Sequence, residues 1–133
     1  MNQTSRNKSK YKGIRRFIYS IKYSVDGLVY SYKNEKSLWI HALLTVVAII
    51  FGFLFKISLL EWSIIAIVLM VILAVELLNT AIEAAVDMVT VEFNPLAKIA
   101  KDCGSAATFV LSIVGAVIAG IIFVPKIMIF LNL

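Results

Sequence analysis

The sequence predicts an all-α integral membrane protein, with a basic N-terminal arm, an amphipathic surface helix and three transmembrane helices. Three observations carry this. Hydrophobic residues make up 61% of the 133 and charged residues only 16%, against about 45–50% and about 25% in soluble globular domains. The apolar residues fall in three long stretches, each close to the ~20 residues a helix needs to cross a hydrocarbon core. Positive charge gathers at one end: residues 1–36 hold nine of the 13 Lys and Arg with only two acids, Asp26 and Glu35, while the remainder nets −2. A chain this short has room for one domain, a single membrane-embedded unit spanning 1–133. One cysteine, Cys103, and one histidine, His41, exclude a disulfide scaffold and a classical zinc site.

The arm comes first. Arg6, Lys8, Lys10, Lys12, Arg15 and Arg16 suit contact with anionic headgroups. Nucleic acid is excluded as their partner, because the rest of the chain would then have nowhere to place its apolar surface. The first 37 residues lack a sustained apolar run, so no cleaved secretory signal is expected. Within residues 11–36, Ile14, Phe17, Ile18, Ile21, Val25 and Leu28 recur at helical spacing among Arg16 and Lys22, the pattern of a helix lying on a membrane surface.

The first span is expected over about 38–55, with His41 near its start read as an interface residue. A short link leads to the second, about 62–87. Trp39 and Trp62 read as belt residues at opposite interfaces. Residues 88–104 read as a link in which Asn94-Pro95 is a turn signal, after which a helix can restart. The third span is expected over about 105–124, ended by Pro125. With the N-terminus inside, 11 basic residues, Lys98 and Lys101 among them, face the cytoplasm and two, Lys56 and Lys126, face out. The positive-inside rule favours that orientation.

The second span carries the chemistry. It reads WSIIAIVLMVILAVELLNTAIEAAVD, and Glu76, Asn79, Thr80, Glu83 and Asp87 interrupt its apolar end. At 100° per residue, Glu83 and Asp87 fall about 20° to either side of Glu76, with Thr80 and Asn79 about 40° and 60° away. Glu76 lies ~21 Å along the helix from Trp62 and Asp87 ~37 Å, so the stripe begins inside the membrane and runs out of it. An ionisable group at the depth of Glu76 is a functional candidate and suits a general base. Glu83 and Asp87, nearer water, suit either salt bridges or Mg²⁺, which takes one or two carboxylates together with substrate phosphates. Lys98 and Lys101 supply the opposite charge. No GxxxxGK[ST] or GxGxxG loop is present. The residues alone point to a membrane-surface site with cation or phosphate chemistry.

The runs ELLNTAIEAAVD (Glu76–Asp87) and NPLAKIAKDCGSAA (Asn94–Ala107), with Asn34-Glu35 and Tyr23-Ser24 upstream, resemble the prokaryotic diacylglycerol kinase family. The resemblance covers nearly the whole chain from about residue 15. It implies a homotrimer of three-span protomers in the bacterial cell membrane, with sites shared between protomers. The activity it implies is Mg²⁺-dependent transfer of phosphate from ATP to a membrane lipid alcohol. Carried onto this sequence, it makes Glu76 the catalytic base, gives Mg²⁺ to Glu35 and Glu83, and gives the nucleotide Tyr23, Glu35, Glu83, Asp87, Lys101 and Asp102. Arg16, Glu76, Asn79 and Ser105 fall to the lipid side. Asp26 stands where the family often has a lysine, which puts that nucleotide contact in doubt. The NEKSLWIHALL stretch, the NPLAKIAKD run and the VPKI ending are similar to the Gram-positive-type branch, whose main substrate is undecaprenol. Diacylglycerol is the alternative acceptor, and a small proton-coupled transporter built around Glu76 the more distant one. A transporter would place its acid near the midplane without a stripe that leaves the membrane.

Overall fold

The computed structural model describes residues 13–132. Four helices make up the fold: α1 (Ile14–Asn34), α2 (Lys36–Leu54), α3 (Leu59–Val89) and α4 (Pro95–Phe130). No strand occurs among the described residues. Two compact units divide between Asn34 and Glu35. The arm residues Arg6, Lys8, Lys10 and Lys12 lie outside the described residues. The first unit contains α1, which leaves Ile14, Phe17, Ile18 and Ile21 exposed.

In the second unit, α2, α3 and α4 are each long and apolar enough to cross a membrane. Local chemistry sets their ends. Helix α2 closes in a Schellman motif, with the Ile57 N–H donating to the Gly52 carbonyl (3.1 Å) and the Lys56 N–H to that of Phe53 (3.3 Å). Lys56 takes the left-handed backbone this motif requires, at φ 49°. Helix α3 opens with a capping box in which the Glu61 N–H donates to Ser58 Oγ and the Ser58 N–H to Glu61 Oε2. Helix α4 opens on Asn94, whose Oδ1 accepts from the Leu96 and Ala97 N–H groups, with Pro95 in the first turn.

The helix that carries the third span starts at Pro95, the restart point that Asn94-Pro95 signals, so only residues 90–94 connect α3 to α4. One expectation about this span changes: Pro125 lies inside α4, which continues to Phe130. Proline removes one backbone hydrogen bond, but in apolar surroundings the bonds on either side have no water competing for them. With 31 and 36 residues, α3 and α4 extend ~46 and ~54 Å, well beyond the ~30 Å hydrocarbon thickness. The polar residues Glu76, Asn79, Thr80, Glu83 and Asp87 all lie in the C-terminal half of α3.

Helix α3 packs against both α2 and α4. The apolar core sits at the α2–α3 turn, where Ile57, Ile65, Ile122 and Phe123 are buried and Phe51 meets Phe123 edge to face at 5.8 Å. Trp62 packs there too, its ring so close to Gly52 that a Cβ on that glycine would lie 2.5 Å away. The Lys126–Glu61 ion pair, 3.1 Å, ties α4 to the start of α3 at the same end. The opposite end holds the polar stripe.

Candidate active site

Helical periodicity places Glu76, Asn79, Thr80 and Glu83 on one side of α3, and packing encloses the first three. Glu76 is 5% exposed, and Asn79 and Thr80 are also buried. Both carboxylate oxygens of Glu76 are engaged by α2: Ser37 Oγ donates to Oε2 at 2.9 Å, and His41 Nε2 lies 3.0 Å from Oε1. Ser37 and His41 are four residues apart, one helical turn, and so share a face. Thr80 Oγ1 donates to the Glu76 main-chain carbonyl (3.1 Å), which leaves the carboxylate to partners from the neighbouring helix.

One turn further along, Asn79 Nδ2 donates to Glu83 Oε1 at 3.1 Å. Asn79 Oδ1 is buried without a hydrogen-bond partner and presses against Gly104 of α4. A Cβ at residue 104 would overlap that oxygen, so any larger residue there requires Asn79 or α4 to shift. Beyond the buried part, Lys101 Nζ donates to Asp87 Oδ1 at 2.5 Å, linking α4 to α3. Lys98 pairs with Asp102 along α4. Lys101 thus turns to Asp87, and Asp102 is engaged by Lys98.

Glu35 stands at the head of α2 in extended backbone, in the N-cap position, yet its side chain makes no capping bond. Burial and then the charges of Glu83 and Glu76 push its carboxyl above the usual value of 4.5. Glu83 and Glu76 thus both repel the Glu35 carboxylate at the polar end of the unit. The folded chain holds the Glu35 proton more tightly than the unfolded chain does. That contribution to stability is complete below pH 4.5 and is lost as pH rises through the elevated folded value. Thermal melts in detergent without divalent cations are expected to fall across that window, and Glu35→Gln is expected to flatten the fall. An unchanged slope in the variant would separate Glu35 from the repulsion.

No group of three or more His, Cys, Asp and Glu side chains able to hold a metal forms among the described residues. A pair of mutually repelling carboxylates fits Mg²⁺ shared with substrate phosphates, and does not fit an all-protein cage. Ser105 is exposed on α4, one residue past Gly104. Arg16 and Tyr23 belong to α1 in the first unit, where Tyr23 lies 6.3 Å from Tyr19, ring centre to ring centre.

A family model described as prokaryotic diacylglycerol kinase matches residues 22–123. The chain belongs to that family. This diacylglycerol kinase family member is a membrane enzyme, a lipid kinase. It is 36% identical over 113 residues to an undecaprenol kinase of Bacillus subtilis, covering 85% of this chain and 92% of that one. It is 43% identical over 98 residues to a diacylglycerol kinase of Pseudomonas aeruginosa, covering 74% and 80%. A diacylglycerol kinase of Haemophilus influenzae is 36% identical over 115 residues, covering 86% and 98%.

The structure also brings to Glu76 two residues that the sequence does not link to it. His41, read as an interface residue, contacts Glu76. Ser37 attracted no attention in the sequence at all. The available signal was their spacing, a polar pair one turn apart at the mouth of an otherwise apolar helix, at the same end as Glu76.

Proposed function

We propose that this kinase phosphorylates undecaprenol to undecaprenyl phosphate, using ATP and Mg²⁺, with Glu76 as general base. The observation that carries the reading is a carboxylate buried in an apolar helix, on a stripe that continues through Asn79 to the less buried Glu83. Such a stripe meets a lipid hydroxyl at its buried end and a soluble nucleotide at its other end.

The lipid hydroxyl gives its proton to Glu76, its oxygen forms a bond to the γ-phosphorus, and the bond from that phosphorus to ADP breaks. Glu35 and Glu83 would hold Mg²⁺ with the nucleotide phosphates, the Glu83 carboxylate being held by Asn79. When bound, Mg²⁺ would neutralise phosphate charge. Lys101, Asp102 and Asp87 serve the nucleotide with Tyr23, while Arg16 and Ser105 serve the lipid side. The N-terminus lies in the cytoplasm and α1 rests on that surface of the bacterial cell membrane. Extensive exposed apolar surface on α2 and α4, including Leu43, Phe53, Val117 and Ile121, supports burial against bilayer and further copies in a homotrimer.

Undecaprenol is favoured by the NEKSLWIHALL and NPLAKIAKD stretches and the VPKI ending. The identity to the P. aeruginosa diacylglycerol kinase favours a second reading, in which diacylglycerol becomes phosphatidic acid. Purified protein in mixed micelles with Mg²⁺-ATP, offered the two lipids in parallel, separates them. Faster turnover of undecaprenol is expected. Preference for diacylglycerol would install the second reading, and no turnover of either lipid by folded protein would overturn both.

A further inference from the structure

We propose that His41 and Ser37 are positioning residues that hold the Glu76 carboxylate in the orientation from which it takes the lipid proton. The proposal rests on the reading of Glu76 as the base.

The geometry is specific. Each oxygen of Glu76 meets one partner, Ser37 Oγ at 2.9 Å and His41 Nε2 at 3.0 Å, and both partners stand on α2, across the helix interface from Glu76. A carboxylate that takes the lipid proton starts without one, so in this reading His41 carries its hydrogen on Nε2 and donates. Two donors on opposite oxygens, anchored four residues apart on one helix, fix both the direction and the rotation of the carboxylate plane. A lone donor would leave that rotation free. A carboxylate offers about four lone-pair positions, so each oxygen retains capacity for an incoming hydroxyl. The arrangement orients the base and leaves it able to act.

The competing role is structural. Polar side chains often join membrane helices by hydrogen bonds, and His41 and Ser37 do join α2 to α3. Structural loss would lower stability and the amount of active protein, and would not depend on which atom at residue 41 donates. Positioning predicts a dependence on one N–H group.

The test compares His41→Leu, His41→Gln and Ser37→Ala in mixed micelles with Mg²⁺-ATP and undecaprenol or diacylglycerol. His41→Leu is expected to lower kcat on the order of 100-fold, the scale of a misplaced catalytic group, with KM for ATP little changed. Glutamine presents an amide N–H in place of Nε2–H, and is expected to restore most of kcat. Ser37→Ala is expected to lose less than His41→Leu. Unchanged kcat in His41→Leu, or equal losses in the leucine and glutamine variants, would overturn the proposal.

A second measurement does not use turnover. The chain has one histidine, so ¹⁵N labelling of histidine gives the ring signals of His41 alone. Glu76→Gln is expected to shift the Nε2 resonance of the folded protein, and an unmoved resonance would overturn the contact. Absence of turnover by the unaltered enzyme, with the shift present, would instead remove Glu76 as the base and the positioning role with it.

Discussion

Glu76→Gln is expected to lower kcat by about 10²–10⁴-fold, the contribution typical of a positioned proton acceptor, or roughly 3–5 kcal/mol of barrier. The amide keeps the size of the carboxylate but cannot take a proton. It also keeps most of the contacts. Its oxygen accepts from one of the two α2 donors, and its NH₂ group can face Ser37, whose hydroxyl accepts as readily as it donates. The fold and the proposed nucleotide end of the site, with Glu35, Glu83 and Lys101, should therefore survive. The expected signature is a collapse of lipid phosphorylation with Mg²⁺-ATP binding retained, checked by calorimetry on the protein used for kinetics. Near-normal turnover in a folded variant would remove Glu76 from the chemistry.

The site was legible where it depended on one helix and obscure where it depended on two. Glu76, Asn79 and Glu83 share a stripe at 3.6 residues per turn, and the Asn79–Glu83 hydrogen bond follows from that periodicity alone. His41 and Glu76 are 35 residues apart. Nothing local links them, so a single histidine near an interface reads as an anchor until packing brings α2 onto α3. Glu35 carries a different kind of signal. Glutamate is not among the favoured N-cap residues, and a Glu at the head of a helix whose side chain makes no capping bond is available for other work.

The spans were legible from apolar length, but the extent of α4 was not. Lys98, Lys101 and Asp102 break the apolar run and read as a link. They are helical because Asn94 and Pro95 start the helix before them, and within it Lys98 meets Asp102 one turn away while Lys101 reaches Asp87 on α3. Exposed pairs of this kind contribute little to stability. Their consequence is positional, since they put charge beside the polar end of α3.

Gly104→Ala is expected to produce the second large effect, on stability and Mg²⁺ response together. A Cβ there would overlap Asn79 Oδ1, a buried atom with no hydrogen-bond partner to draw it elsewhere. Either α4 moves away from α3 or Asn79 rotates. Overpacking of this kind costs about 1–3 kcal/mol, and rotation would also remove the amide that holds Glu83. The variant is expected to melt earlier in detergent and to need more Mg²⁺ for half-maximal ADP formation. Gly120→Ala is the matched control: it lies in the same helix, and a Cβ there would meet nothing within 4 Å. Replacing glycine by alanine in a helix interior normally stabilises by about 0.5–1 kcal/mol. Opposite shifts in melting from the two substitutions would tie the loss at residue 104 to the Asn79 contact. If both variants melted alike with unchanged Mg²⁺ response, Asn79 would have no part in holding Glu83 for the metal.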